Sequence, residues 1–166
     1  MNPIWTEDKL EFDFSGAGFL EKPGSLASPL KSVDFWAQYP GETWLIEVKD
    51  PEQAPPVHLP GAVASVLAEI GNDSLLKEHL LPKLYGMFAY MVMTHREPRG
   101  RVRYGVLIGL SDLTAAERHT LTDNVQRVVD RIGPKIRYGK HWPVVEVHNV
   151  ASWNAAHPHM TITRHV

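Results

Sequence analysis

Asp34, Glu47 and Lys49 are the residues of this chain whose types and spacing could do chemistry. Two carboxylates brought face to face repel one another and raise one pKa unless something cationic relieves them. A divalent ion with a taste for hard oxygen ligands, Mg²⁺ or Mn²⁺, would do so, and could also lower the pKa of a bound water and polarise a phosphate. A lysine beside such a pair can orient the attacking water or steady charge developing on phosphate oxygens. The chemistry these three residue types support is metal-assisted hydrolysis of a phosphate ester.

Whether they meet depends on the elements that carry them. Residues 32–39 (SVDFWAQY) and 42–50 (ETWLIEVKD) are rich in aromatic and β-branched residues, and only Pro40-Gly41 separates them, which predicts a β-hairpin. In an antiparallel pair the numbers of facing residues have a constant sum. Centring the turn on Pro40-Gly41 pairs Tyr39 with Glu42, so Asp34 faces Glu47, and Lys49 follows two residues on along the same sheet face. Pro-Gly favours a type II turn, whose twist suits a two-residue hairpin poorly, so an asymmetric loop or a bulge is the way this register would fail.

Asp34, then Glu47-Val48-Lys49 within the apolar strand that begins Trp44-Leu45-Ile46, resembles the motif of the PD-(D/E)XK, or restriction-endonuclease-like, nuclease superfamily. Val33 stands where the motif name has proline. The resemblance covers roughly half the chain. It implies an α/β fold with a restriction-endonuclease-like core, a mixed central β-sheet flanked by α-helices, and a metal-dependent nuclease cleaving phosphodiester bonds in nucleic acid, with DNA as the expected substrate. It further implies Asp34, Glu47 and the backbone carbonyl of Val48 as Mg²⁺ or Mn²⁺ ligands, and Lys49 as the catalytic lysine. The family core usually opens with a helix that brings a further acid, whereas residues 1–32 read as strand plus loop; Glu7, Glu11 and Glu21 are the upstream candidates.

The rest of the chain supplies a scaffold. Leu10, Phe12 and Phe14 alternate with Glu11 and Asp13 as in a half-buried strand, and residues 19–32, with Pro23, Gly24, Ser25, Ser28 and Pro29, read mainly as loop. Four prolines between positions 51 and 60 make a connection rather than a strand. Helical spacing follows at residues 62–70 and again at 75–94, with Pro82 as a break or a new first turn. Residues 101–110 predict a buried strand, and Thr114 with Glu117 has capping-box spacing ahead of a helix that Gly133-Pro134 ends. Residues 143–150 and 160–166 read as short strands around a turn-rich junction at 154–158.

A chain of 166 residues, 43% hydrophobic and 22% charged, suits one domain spanning residues 1–166. It has no cysteine, so thiolate chemistry is excluded and a cytoplasmic setting fits; no segment has the length to span a membrane and the N-terminus has no leader pattern. The net charge of −2 conceals a division: residues 1–80 hold 5 Lys+Arg against 13 Asp+Glu, and residues 81–166 hold 12 against 6. That polarity suits an acidic metal-holding region beside a basic grip on a phosphate backbone, unless the halves interleave in space. Arg96, Arg99, Arg101 and Arg103 are the candidate grip on nucleic acid, since guanidinium forks pair with phosphates. Arg127, Arg131, Lys135, Arg137 and Lys140 read as an exposed helix end, and Lys83 and Tyr90 as accessory polar residues. His157 and His159, with His165, lack a clear third metal ligand and read as turn and tail residues. The partner is thus nucleic acid, and a homodimer is the simplest way for so small a chain to cut both strands. The competing class is a non-catalytic module that binds nucleic acid or protein and keeps the acids as a structural cluster.

Overall fold

The hairpin forms in the expected register in this computed structural model, which describes residues 4–23, 30–132 and 143–165. Strands β4 (Phe35–Tyr39) and β5 (Glu42–Lys49) pair antiparallel from Tyr39↔Glu42 to Phe35↔Ile46. Pro40 presets its own φ, and Gly41 takes the φ of +80° that a type II turn needs at its third residue. The turn is keyed to the next strand: Arg101 N–H donates to the Gly41 carbonyl at 2.8 Å. A Cβ on Gly100 would lie 2.1 Å from that carbonyl oxygen, so only glycine lets the chains approach there.

Three short N-terminal strands precede the hairpin: β1 (Ile4–Glu7), β2 (Leu10–Asp13) and β3 (Phe19–Glu21). After β5 and a 3₁₀ turn (Pro51–Gln53) come α1 (Leu59–Gly71), a π-helical turn (Leu75–Leu80) and α2 (Leu81–Met93), which carries Pro82 in its first turn, where its missing N–H is tolerated. Then follow β6 (Arg101–Ile108), α3 (Ala115–Ile132), β7 (Val144–His148), α4 (Val150–Ala156) and β8 (Ile162–Arg164). Thr114 and Glu117 make the expected capping box: the Thr114 N–H donates to Glu117 Oε2 at 2.8 Å and the Glu117 N–H to Thr114 Oγ1 at 3.3 Å.

Five strands form a mixed sheet in the order β3-β4-β5-β6-β7, antiparallel up to β5 and parallel from β5 to β7. The parallel steps need crossovers, which the helices provide. One face, carrying Trp36, Leu45, Tyr104, Val106 and Val147, packs on the π-helical turn, α2 and α3. The other, carrying Phe35, Trp44, Ile46, Val48 and Leu107, packs on α4 and on a small antiparallel sheet, β1-β2-β8. Strand β5 is therefore buried on both faces, as central parallel strands are. The protein is a mixed α/β domain, and among the described residues no helix is long and apolar enough to cross a membrane.

One expectation is refined and another corrected. The 19–32 stretch is loop over most of its described residues, but β4 recruits Phe19–Glu21 as an edge strand. The junction at 154–158 begins as the end of a helix: Asn149 caps α4, its Oδ1 accepting from Ser152 N at 2.9 Å while its own N–H donates to Ser152 Oγ at 3.1 Å. Serine in the place of the usual glutamate or glutamine hid that box. Gly24, Ser25, Ser28 and Pro29, the Gly133-Pro134 stop, and Lys135, Arg137 and Lys140 lie outside the described residues.

Candidate active site

Asp34 immediately precedes β4, and its N–H donates to the Ile46 carbonyl at 3.0 Å; because Ile46 already pairs with Phe35, the ladder ends there in a bulge, and the Asp34↔Glu47 pair expected from counting is not part of it. Asp34 and Glu47 nevertheless both lie on the sheet face that meets α2, near the carboxyl end of β5, where open α/β sheets commonly hold their ligands. Asp34 Oδ2 accepts from Val48 N–H at 2.7 Å, which fixes the carboxylate over the strand. Lys49 follows on the same face, partly exposed, and its charge reaches Glu47.

A fourth residue enters from α2. Lys83 Nζ lies 2.6 Å from Glu47 Oε1 and 3.5 Å from Asp34 Oδ1. Its approach depends on Gly86, one turn further along, where a Cβ would lie 1.8 Å from the Lys31 carbonyl oxygen; the bare glycine seats α2 against the segment that leads into Asp34. The Glu47 side chain is fully buried, with Asp34 17% and Lys83 23% exposed. Burial first, and the Asp34 carboxylate second, push the Glu47 carboxyl up to about 8, against the pull of Lys83 and Lys49. Burial works to lower the Lys83 pKa, but Glu47 and Asp34 override it, so the ammonium is held charged. Glu47 Oε2 is buried with no hydrogen-bond partner among the described residues. A buried carboxylate oxygen without a donor is costly, and a divalent cation between Glu47 and Asp34 would satisfy it. The donor set fits Mg²⁺ or Mn²⁺.

The upstream acids are placed differently from the sequence candidates. Glu7 pairs with Lys22, Glu11 with His165 at 3.1 Å, and Glu21 with Arg96 at 2.6 Å and the Tyr90 hydroxyl at 3.0 Å. It is Asp8, in the β1–β2 turn at a φ of +56°, whose carboxyl is raised by burial and by the charges of Glu7, Asp50 and Asp34. Nothing in the periodicity marks a turn aspartate. The one signal for Lys83 was its place on the helix after the motif.

The four arginines do not form one grip. Arg96 is engaged by Glu21, and Arg103 bridges Glu42, at 2.8 Å, and Glu146; Arg99 and Arg101 are exposed. Glu42 pairs with Arg101 where Glu47 pairs with Val106, so this arginine end lies five residues, or about 16 Å, along the sheet from Glu47. The charge division is spent internally: Lys83, Arg96, Arg103 and Arg164 of the basic half each hold acids of the other half. A cleft of about 600 Å³, lined by residues that include Glu52, Leu59, Val63, Leu113 and Arg164, contains none of the site residues. Compared with known proteins, the chain matches no family model, no curated protein and no solved structure.

Proposed function

We propose that the protein is a metal-dependent nuclease on a restriction-endonuclease-like core, hydrolysing phosphodiester bonds in DNA. The observation that carries this reading is Glu47 Oε2, buried close to Asp34 and without a hydrogen-bond partner among the described residues, with Lys49 two residues further along the strand. Asp34 and Glu47, with the Val48 carbonyl, would hold the ion. Bound Mg²⁺ or Mn²⁺ supplies charge neutralisation at the scissile phosphate and acidifies a water. The chain's own contributions are distinct. The Val48 N–H fixes Asp34; burial keeps water from screening Glu47; and Lys49, partly exposed, presents an ammonium to a phosphate oxygen and the incoming water. Exposed Arg99 and Arg101 would touch the backbone away from the cut. Plasmid cleavage with Mn²⁺ tests this: Asp34→Ala, Glu47→Gln and Lys49→Ala should each lose activity with the fold retained by circular dichroism. Full activity in all three refutes it.

Lys83 favours a second reading, a non-catalytic module in which its ammonium already serves as the cation of the acid pair. Calorimetry separates the two. The nuclease reading expects Mn²⁺ to bind wild type and to bind Lys83→Met more tightly, because the competing ammonium is gone. The module reading expects no Mn²⁺ binding to either.

A further inference from the structure

On the opposite face of the sheet, Glu146 and His148 project from β7 beside His157, the residue that ends α4, and these form a His₂Glu cluster whose ligand atoms all lie within 4.8 Å of one another. Both Nε2 atoms address the same oxygen, Glu146 Oε2, at 3.4 Å from His148 and 3.0 Å from His157. The other oxygen, Oε1, is taken by Arg103.

The hydrogen bonds around His148 assign its tautomer. Ser152 Oγ accepts from Asn149 N–H at 3.1 Å and donates to the Asn149 carbonyl at 3.2 Å. Its single hydrogen is thereby committed, and a lone pair is left for His148 Nδ1 at 3.3 Å, which must donate. With the proton on Nδ1, neutral His148 turns the lone pair of Nε2 toward a carboxylate oxygen. Two acceptors facing one another at 3.4 Å call for a cation between them. Around a tetrahedral ion with ligands at about 2.0–2.1 Å, neighbouring donor atoms sit about 3.3 Å apart. The observed 3.0 and 3.4 Å lie on either side of that edge.

The surroundings fit as well. Trp44 and Trp153 stand edge-on to His157 at 4.7 and 5.1 Å, and Trp153 to His148 at 5.7 Å, orienting both rings in apolar walls. Side-chain exposures of 16, 10 and 20% for His148, His157 and Glu146 leave an opening for an ion and a fourth, water ligand.

We propose that Glu146, His148 and His157 bind a divalent transition metal of the Zn²⁺ class, with Ser152 as the outer partner that fixes His148. Two imidazoles and one carboxylate favour zinc over the hard cations suited to Asp34 and Glu47. The proposal is independent of the nuclease reading.

The test uses the full chain carrying Asp34→Asn and Glu47→Gln, which removes the other acid pair. Calorimetry should show one Zn²⁺ per chain, weakened more than about 100-fold by His148→Gln or His157→Gln and about 10-fold by Ser152→Ala. Unchanged affinity in all three overturns the site. Because His157 packs among tryptophans and its replacement could unfold the chain, Co²⁺ added to the unsubstituted protein gives a second measurement. Two exchangeable imidazole N–H resonances, assigned to His148 and His157, should show paramagnetic shifts. Shifts confined to other histidines, or none at all, mean that the cation between Nε2 and Oε2 is a proton and overturn the metal.

Discussion

The two faces of the five-stranded sheet handle a buried carboxylate in opposite ways. On the α2 face Glu47 has Lys83 on one oxygen and, among the described residues, nothing on the other, so burial prevails and its pKa rises to about 8. On the α4 face burial also works against the Glu146 charge. There, the His148 and His157 imidazoles and the Arg103 guanidinium around it override burial and hold the carboxyl well below the usual carboxylate range. The difference teaches that burial alone does not set the charge state; the polar and cationic groups set around each oxygen do. An under-satisfied carboxylate is poised to take a hard cation, whereas one oxygen shared between two imidazoles suits a softer one.

The contrast can be broken most sharply through activity. Glu47→Gln should cut Mn²⁺-dependent cleavage by about 10³-fold or more in a single-turnover assay, since it removes the ligand charge itself. Cleavage within a few fold of wild type ends the claim that the α2 face is the reactive one.

Stability comes next. Asp50, buried just beyond β5, is clamped by Arg164 through two bonds of 2.8 and 2.9 Å, a pair that ties the small sheet to the large one. Asp50→Ala should cost about 2 kcal/mol in urea unfolding, because a partly buried guanidinium loses its two-bond partner. A cost below about 1 kcal/mol would mean that Glu52 and the Gly109 carbonyl, at 3.5 and 2.9 Å, suffice for Arg164.

Gly86→Ala should cost about 1–3 kcal/mol by overpacking α2 against Lys31. It should also shift Mn²⁺ affinity, because Lys83 moves with the helix. A stability change with unaltered metal binding would show that the helix seat and the acid pair are uncoupled.

A further effect is in pH. In the fold Glu47 holds its proton up to about pH 8, against an ordinary value of 4.5. It therefore contributes stability that is fully present below pH 4.5 and is lost as pH rises to about 8. Without metal, the melting temperature should decline over that window, and Glu47→Gln should flatten the decline. A slope untouched by the substitution assigns it to other groups.

The site was legible where it was local. A two-residue hairpin turn gives the pairs from Tyr39↔Glu42 to Phe35↔Ile46 by counting alone, because Gly41 could take a φ of +80°; the expected Asp34↔Glu47 pair is replaced by a bulge at Asp34. The α3 capping box was legible for the same reason, being complete within four residues. Lys83 was visible only as a polar residue on a helix. Its meeting with an acid 36 positions away depends on how α2 seats on the sheet. The halves of opposite charge were plain in the sequence, yet their significance lay in pairs such as Arg103 with Glu42, which only the interleaved strands create.

By itself, then, the sequence determined the hairpin, its register from Tyr39↔Glu42 to Phe35↔Ile46 and thereby the nearness of Asp34 to Glu47, because alternation and turn length act over a few residues. Tertiary structure decided which cation meets those acids, which upstream acid approaches them, and that His157, read as a turn residue, has Glu146 and His148 beside it. Those outcomes rest on helix seating and strand order. These are settled by the packing of two whole cores, and no short window of residues contains them.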